Sequence, residues 1–244
     1  MAGTVLVTGG ARRLGKAIAD ALRARGWNVI VASRNSPDPA FAVDLAEPDG
    51  PARLFAAARA VAPDLCAVVN NAGLFSHDAE LPPDVEARLR AVNVDAPRVL
   101  TDLLAAHGGG AVVNIVDCRA LSTARDDDTP YLRTKRELLD AARADALRLA
   151  ADASPTTYER SKMALRDSIM KTAGLFGSCL RVNAVAPGPV LPPEHCHERA
   201  GATPLGRRPT PQDVADAVAY LLSAESTTGA VIPVDGGQSL LAKP

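Results

Sequence analysis

The sequence predicts an α/β fold built on a single doubly wound parallel sheet with helices on both faces. Short β-branched runs alternate with Ala- and Leu-rich stretches of helical period. The β-branched runs are almost wholly apolar, which is typical of parallel strands covered on both faces. No repeat, low-complexity linker or shift in composition divides the chain. We therefore expect one domain over residues 1–244.

The alternation places each element in order along the chain. The predicted strands are Thr4–Val7, Asn28–Val31, Ala67–Val69, Ala111–Val116, Arg181–Val185 and Ala230–Val234. The predicted helices are Leu14–Arg25, Pro51–Ala62, Asp84–Ala106, Tyr158–Ala173 and Pro211–Ser223. Residues 118–157 interrupt the pattern and are predicted to form a helical insertion, with a helix over Pro130–Ala151.

Composition and charge exclude several classes of protein. The 27 Lys and Arg residues nearly balance the 28 Asp and Glu residues, so no basic surplus favours nucleic acid or an anionic membrane. No apolar run approaches the roughly 18 residues of a membrane span, and the first residues do not resemble a signal peptide. A cytoplasmic protein without disulfides is expected, because the four cysteines show no CxxC spacing. No metal site is expected at Glu194–Glu198 despite its composition, because alternate loop residues seldom converge on one ion.

A glycine-rich turn follows the first predicted strand and opens the first helix, over Thr8–Gly15. Such a turn presents backbone N–H groups and the positive end of the helix dipole to a pyrophosphate. This context predicts a dinucleotide-binding, Rossmann-type sheet. The second strand is followed by Ser33 and Arg34 rather than by an acidic residue. Arg34 and Arg12 suit a ribose 2′-phosphate, so NADP(H) is the predicted cofactor.

Two tyrosine–lysine pairs have the i, i+4 spacing that places both side chains on one face of a helix: Tyr131 with Lys135 and Tyr158 with Lys162. A cation beside a tyrosine lowers the phenol pKa from its usual value near 10, which suits proton delivery. Spacing from Asp117 favours the first pair, and spacing to the fifth strand favours the second. Motif context favours Tyr158 with Lys162, and the first pair stays open as the alternative.

Further motifs accompany the glycine-rich turn and the tyrosine–lysine pair, and together they cover nearly the whole chain outside the predicted insertion. The full set is Thr8–Gly15, Asn70–Gly73, Asn93, Tyr158–Lys162, Arg181–Gly188, Pro204–Arg207 and Gly229–Gly237. In this order, these motifs resemble the short-chain dehydrogenase/reductase family. The resemblance implies an NADP(H)-dependent oxidoreductase that acts on a small molecule as a homotetramer or homodimer.

Two departures from the family pattern resemble its pteridine reductase subgroup. Arg13 replaces the usual second loop glycine, and Asp117 replaces the usual catalytic serine. Phe75 is similarly placed to the aromatic residue that stacks on pterin there, with plain core packing as the alternative. The expected reaction is hydride transfer from NADPH to a pterin-like substrate such as a dihydropteridine or dihydrofolate. The alternatives are a reductase of 3-oxoacyl thioesters or sugar ketones, and a catalytically silent NADP-binding interaction protein.

The resemblance implies a role for each candidate site residue. Asp117 and Tyr158 form the proton-delivering pair, Lys162 lowers the tyrosine pKa, and Asn93 supports a water chain. Asp44 resembles the residue that hydrogen-bonds adenine. The expected substrate-binding residues are Arg13, Phe75, Asp117 and Tyr158. The expected cofactor-binding residues are Gly9, Arg12, Arg13, Leu14, Gly15, Ser33, Arg34, Asn35, Asp44, Asn71, Ala72, Gly73, Pro187 and Gly188.

Overall fold

Six parallel strands form one sheet in the order β2-β1-β3-β4-β5-β6 in the computed structural model, which describes residues 3–78, 80–121, 155–196 and 203–240. After β2 the chain crosses to the other side of β1, so the strand order reverses between β1 and β3. Ligands of doubly wound sheets bind at this switch point, beyond the carboxyl ends of the strands. The strands are β1 Thr4–Thr8, β2 Asn28–Ala32, β3 Leu65–Asn70, β4 Gly110–Ile115, β5 Leu180–Pro187 and β6 Val231–Val234.

Helices cover both faces of the sheet, and the predicted doubly wound α/β fold is confirmed. One apolar cluster packs α2, α4 and α5 against one face, and a second packs α1 and α6 against the other. Most side chains in both clusters are Ala, Val, Leu or Ile, because aromatic residues make up only 3% of the sequence. The helices are α1 Arg13–Ala24, α2 Gly50–Val61, α3 Pro83–Arg90, α4 Ala96–Ala106, α5 Thr157–Phe176 and α6 Pro211–Ser223.

The helix predicted over Asp84–Ala106 contains a π-helical segment at Ala91–Asp95, which separates α3 from α4. A π-helical segment adds one residue to a turn and rotates the side chains that follow it. Val92, Asn93 and Val94 are buried there. The segment thus turns the amide of Asn93 towards the interior, beside the carboxyl edge of the sheet.

The predicted insertion is described only at its two ends. A short 3-10 helix occupies Cys118–Leu121, and α5 begins at Thr157. The predicted helix over Pro130–Ala151 lies outside the described residues. No helix in the described parts of the chain has the length and apolar character needed to cross a membrane.

Candidate active site

The glycine-rich turn joins β1 to α1 at the carboxyl edge of the sheet. Gly9 has a φ of 64°, in the left-handed region that favours glycine. A Cβ atom at Gly15 would lie 2.2 Å from the carbonyl oxygen of Gly9, so only glycine lets the turn close onto the start of the helix. The first backbone N–H groups of α1 consequently face the space beyond β1.

Arg13, which the sequence resemblance predicts to stand in place of a second glycine of the turn, has a glycine-like backbone conformation. Its φ of 49° is the only positive φ of a non-glycine residue among those described. This conformation is costly for an arginine, by about 1 kcal/mol. Strain of this kind at a non-glycine residue is common at ligand sites.

The turn after β3 is fastened to the glycine-rich turn by hydrogen bonds from Asn71 and Ala72. The hydroxyl oxygen of Thr8 accepts from the backbone N–H groups of Asn71 and Ala72, at 3.1 and 3.0 Å. The Asn71 side chain donates to the carbonyl oxygens of Thr8 and Gly9, at 3.0 and 3.2 Å. These bonds hold the carboxyl ends of β1 and β3 together at the switch point.

A cleft of about 330 Å³ opens between these two turns. All but two of the predicted cofactor-binding residues line it; the exceptions are Pro187 and Gly188. Those two lie at the end of β5, where the Gly188 N–H donates to the carbonyl oxygen of Val234 at 3.0 Å. The predicted residues in the cleft are Gly9, Arg12, Arg13, Leu14, Gly15, Ser33, Arg34, Asn35, Asp44, Asn71, Ala72 and Gly73.

One end of the cleft fits a phosphate group. The Ser33 hydroxyl oxygen is buried without a hydrogen-bond partner in the described chain. Arg12 and Arg34 line the same cleft, and both are exposed. A buried hydroxyl that lacks a partner, together with nearby guanidinium groups, suits an anion with several acceptor oxygens.

Asp44 and Arg88 form an ion pair in the same cleft. Burial raises the pKa of Asp44, but the 2.9 Å hydrogen bond from the N–H of Ala46 and the Arg88 guanidinium outweigh it, so the net shift is downwards. Asp44 is therefore a carboxylate at neutral pH. Sequence reasoning missed Arg88, because nothing in its local pattern distinguishes it from a solvated arginine on α3.

Tyr158 and Asp117 meet at the carboxyl edge, where the Tyr158 hydroxyl donates to Oδ2 of Asp117 at 3.2 Å. The pair connects the start of α5 with the residues that follow β4. Burial, followed by the charge of Asp117, raises the pKa of the Tyr158 phenol well above its usual value. Tyr158 is therefore a protonated phenol at neutral pH, as a proton donor must be.

Lys162 lies one turn further along α5 and is almost completely buried, with 4% of its surface exposed. Its ammonium group donates to the carbonyl oxygen of Ile115 at 2.9 Å and lies 5.8 Å from the centre of the Tyr158 ring. Burial lowers the pKa of Lys162 to about 8, against an opposing effect of Asp117. Lys162 is predicted to lower the pKa of Tyr158, and that role stays a prediction; in the structure, burial and Asp117 raise the pKa of Tyr158.

Asn93 links the turn after β3 to α5. Its side-chain oxygen accepts from the Leu74 N–H at 2.8 Å, and its amide nitrogen donates to the Leu74 carbonyl oxygen at 2.9 Å and to Ser161 at 3.0 Å. Asn93 therefore fixes the position of α5 relative to the cleft. Its predicted support of a water chain stays a prediction.

Phe75 lies over the Tyr158 ring at the mouth of the site. The ring centres are 4.7 Å apart in an edge-to-face arrangement, and 53% of Phe75 is exposed. That exposure contradicts plain core packing.

Tyr220, which its helical spacing predicts to be a packing residue, is also 56% exposed because it faces outward from α6.

Arg119 is a charged residue of this site that sequence reasoning missed. Its Nε and Nη2 donate to the two carboxylate oxygens of Asp117, at 3.1 and 3.2 Å. Its Nη1 lies 2.8 Å from the Glu159 carboxylate, and its Cζ lies 5.5 Å from the centre of the Tyr158 ring. Arg119 lies within the predicted insertion, and no sequence signal indicates that its side chain bends back onto Asp117.

The rival pair Tyr131 and Lys135 lies outside the described residues, as do His197 and Glu198 of the metal-like run. Among the described residues, the structure therefore brings one tyrosine–lysine pair to the carboxyl edge, Tyr158 with Lys162. Their partners Asp117 and Asn93 lie with them.

The fold and the cleft at its switch point define a doubly wound α/β protein of the dinucleotide-binding class. A family model described as short chain dehydrogenase matches residues 3–123, and one described as enoyl-(acyl carrier protein) reductase matches residues 151–239. The chain belongs to the short-chain dehydrogenase/reductase family, and that prediction is confirmed.

Individual relatives cover almost the full length of the chain. A protein of Streptomyces violaceoruber, assigned as ketoacyl reductase 2 of the granaticin polyketide synthase, is 30% identical over 97% of this chain and 96% of its own length. The alternative dihydrofolate reductase 1 (FolM) of Brucella canis, solved in complex with NADP, is 29% identical with a TM-score of 0.76 over 98% of this chain and 94% of its own. The angucycline C-6 ketoreductase LanV, solved with bound NADP, is 27% identical with a TM-score of 0.73 over 98% and 96%.

Proposed function

We propose that the protein is an NADPH-dependent reductase of pterin-like substrates, such as a dihydropteridine or dihydrofolate. One observation carries this proposal: the Asp117 carboxylate accepts the hydrogen bond of the Tyr158 hydroxyl beside the exposed Phe75 ring. A carboxylate accepts hydrogen bonds and does not donate them, so it suits the N–H and amino groups of a pterin. The exposed Phe75 ring offers a flat apolar surface to a flat substrate.

The residues of the cleft fit NADP(H). The glycine-rich turn and the start of α1 would hold the pyrophosphate, because their backbone N–H groups face it. Ser33, Arg34 and Arg12 would hold the 2′-phosphate, and Asp44 would lie at the adenine. When bound, NADPH supplies the hydride. FolM and LanV, two relatives of this chain, were solved in complex with NADP, which supports this cofactor.

Proton delivery falls to Tyr158 in this proposal. The raised pKa of the phenol keeps it protonated until a substrate nitrogen gains electron density next to the carbon being reduced. Tyr158 then gives its proton to that nitrogen. Lys162 bonds α5 to Ile115, and Asn93 bonds α5 at Ser161 to the turn at Leu74, so the phenol stays at the mouth of the cleft.

A second candidate is a reductase of 3-oxoacyl thioesters or related ketones. The names of two relatives, a ketoacyl reductase and a ketoreductase, favour it. Asp117 argues against it, because an ionised carboxylate cannot donate a hydrogen bond to a ketone oxygen as a serine can.

The assembly as a homotetramer or homodimer and the cytoplasmic location stay predictions.

The two candidates are separated by the substrates that the protein turns over. We expect oxidation of NADPH with dihydrobiopterin or dihydrofolate and little with an acetoacetyl thioester, followed as loss of absorbance by the reduced nicotinamide. Turnover of the thioester alone would overturn the pterin proposal. Binding of NADPH with no turnover of any of the three would favour a catalytically silent protein.

A further inference from the structure

Asp117 brings a negative charge to the place where the proposed proton transfer occurs. Its Oδ2 lies 3.2 Å from the hydroxyl oxygen of Tyr158, and both residues are partly buried. When Tyr158 gives up its proton, a phenolate forms against this carboxylate. Two negative charges at that distance repel strongly outside bulk water. A serine at position 117 would avoid this repulsion, so the presence of Asp117 calls for a compensating cation.

Two cations lie close to Tyr158 in the described chain, and they differ in what they contact. The Lys162 ammonium group is bonded to the carbonyl oxygen of Ile115 and lies 5.8 Å from the phenol ring centre. Arg119 contacts Asp117 itself, with Nε and Nη2 on the two carboxylate oxygens at 3.1 and 3.2 Å. A two-pronged contact of this kind fixes both the charge and the orientation of a carboxylate.

Arg119 is held in this place from several directions. Its backbone N–H donates to Oδ1 of Asp117 at 2.9 Å, which closes a tight turn just after β4. Its Nη1 reaches the Glu159 carboxylate at 2.8 Å, and its Cζ lies 5.8 Å from the centre of the Phe75 ring and 5.5 Å from that of Tyr158. The guanidinium therefore joins the residues after β4 to the first turn of α5.

We propose that Arg119 is a positioning residue that holds the Asp117 carboxylate against the Tyr158 hydroxyl and balances its charge as the proton leaves. This inference rests on the proposed function, because it assigns Arg119 to the same proton transfer. Arg119 acts through Asp117, so the two residues form one unit. Removal of Arg119 should then matter only while residue 117 is charged.

A double-mutant cycle tests that dependence. Arg119→Met, which keeps the length of the side chain but not its charge, is made in the wild-type protein and in the Asp117→Asn variant. We expect kcat to fall roughly 10- to 100-fold in the wild-type background and at most about threefold in the Asp117→Asn background. The dissociation constant for NADPH should change less than about twofold, because Arg119 is not in the cleft. Arg119→Lys should recover part of the lost kcat, because it restores the charge.

Two control variants separate this role from a structural one. Glu159→Gln breaks the second ion pair of Arg119 but keeps an acceptor for the Thr156 N–H, and it should lower kcat less than about threefold. Arg90→Met removes an exposed arginine paired only loosely with Asp95 and should leave kcat unchanged. Equal losses from Arg119→Met in both backgrounds, or an equal loss from Glu159→Gln, would overturn the proposal.

The cycle is run on whichever of the dihydropterin, dihydrofolate and thioester substrates the wild-type protein turns over fastest. If the pterin proposal fails, the assay uses another substrate. The effect of Arg119→Met can still be compared between the wild-type protein and the Asp117→Asn variant. Equal losses in the two backgrounds on an active substrate would overturn the role of Arg119 and leave unchanged the substrate assignment made by the turnover assay.

Discussion

Tyr158 is the residue on which the proposed chemistry depends, and the Tyr158→Phe variant isolates its hydroxyl. The phenylalanine keeps the edge-to-face contact with Phe75, while the hydrogen bond to Asp117 is lost. We expect kcat to fall about 10²- to 10⁴-fold, the usual contribution of a positioned proton donor, with little change in NADPH binding. Steady-state kinetics measure the loss.

The matched control is Tyr131→Phe, in the rival pair outside the described residues. It should leave kcat within about twofold of wild type, because we assign Tyr131 no part in proton transfer. Loss of activity in Tyr131→Phe alone would contradict the assignment of Tyr158.

The buried Lys162 predicts a pH dependence for the proposed reaction, and the direction of its pKa shift sets the sign. Burial lowers the pKa of its ammonium group to about 8, so Lys162 is cationic below that pH and neutral above it. If the cation supports proton delivery by Tyr158, then kcat for reduction falls as the pH rises through about 8. Lys162→Arg, which stays charged at high pH, should have a lower rate but no fall near pH 8. If kcat of Lys162→Arg still falls near pH 8, the fall must come from the titration of another group.

At the scale of single residues, contiguous sequence motifs were enough to predict the main residues of the site. Contacts made by long side chains to distant residues were not predicted. The glycine-rich turn and the Tyr158–Lys162 spacing are contiguous patterns, so the sequence was enough to predict them. Arg88 reaches the Asp44 carboxylate and Arg119 reaches the Glu159 carboxylate, each on a distant part of the chain. No periodicity or spacing records such a reach. The direction of the Tyr158 pKa shift was also not predictable from the sequence, because it depends on burial rather than on residue spacing.

At the scale of elements, α5 owes its starting point to a capping box. The Thr156 side chain accepts from the backbone N–H of Glu159 at 3.2 Å, and Glu159 in turn accepts from the Thr156 N–H at 2.9 Å. Thr156→Ala should lower the free energy of unfolding by about 1 kcal/mol. For a chain of this length that corresponds to a fall of about 2–4 °C in Tm.

The matched control for the cap is Thr156→Ser, which keeps the hydroxyl oxygen and should leave Tm nearly unchanged. Because the cap sets the start of the helix that carries Tyr158, Thr156→Ala should also lower kcat modestly. Equal values of Tm for the alanine and serine variants would show that the cap does not stabilise α5.

Element boundaries show where periodicity is informative and where it fails. Each predicted strand overlaps an observed one, because β-branched runs between turns leave few alternatives. The π-helical segment at Ala91–Asp95 was not predicted, because one extra residue in a turn barely disturbs the apolar spacing of so long a helix. The missed segment is the one that turns Asn93 towards Leu74 and Ser161.

At the scale of the whole molecule, cofactor binding should stabilise the fold, because the cleft is built from turns after β1, β2 and β3 together. At about 100 times its dissociation constant, NADPH adds about 2.7 kcal/mol to the free energy of unfolding. The expected rise in Tm is about 5–10 °C, measured by a thermal shift assay. NADH at the same concentration should give a smaller rise, because it lacks the 2′-phosphate for which Ser33 and Arg34 are proposed.

Two variants assign that stabilisation to its sources. Gly15→Ala places a Cβ against the carbonyl oxygen of Gly9 and should abolish the rise with either cofactor, since the turn can no longer close. Arg34→Ala should leave the rise with NADH intact and reduce the rise with NADPH towards it, because the variant removes only the charge proposed for the phosphate. An equal rise with NADH and NADPH in the wild-type protein would contradict the roles given to Ser33, Arg34 and Arg12. A difference between the cofactors that survives Arg34→Ala would move the recognition of the phosphate to the other two residues.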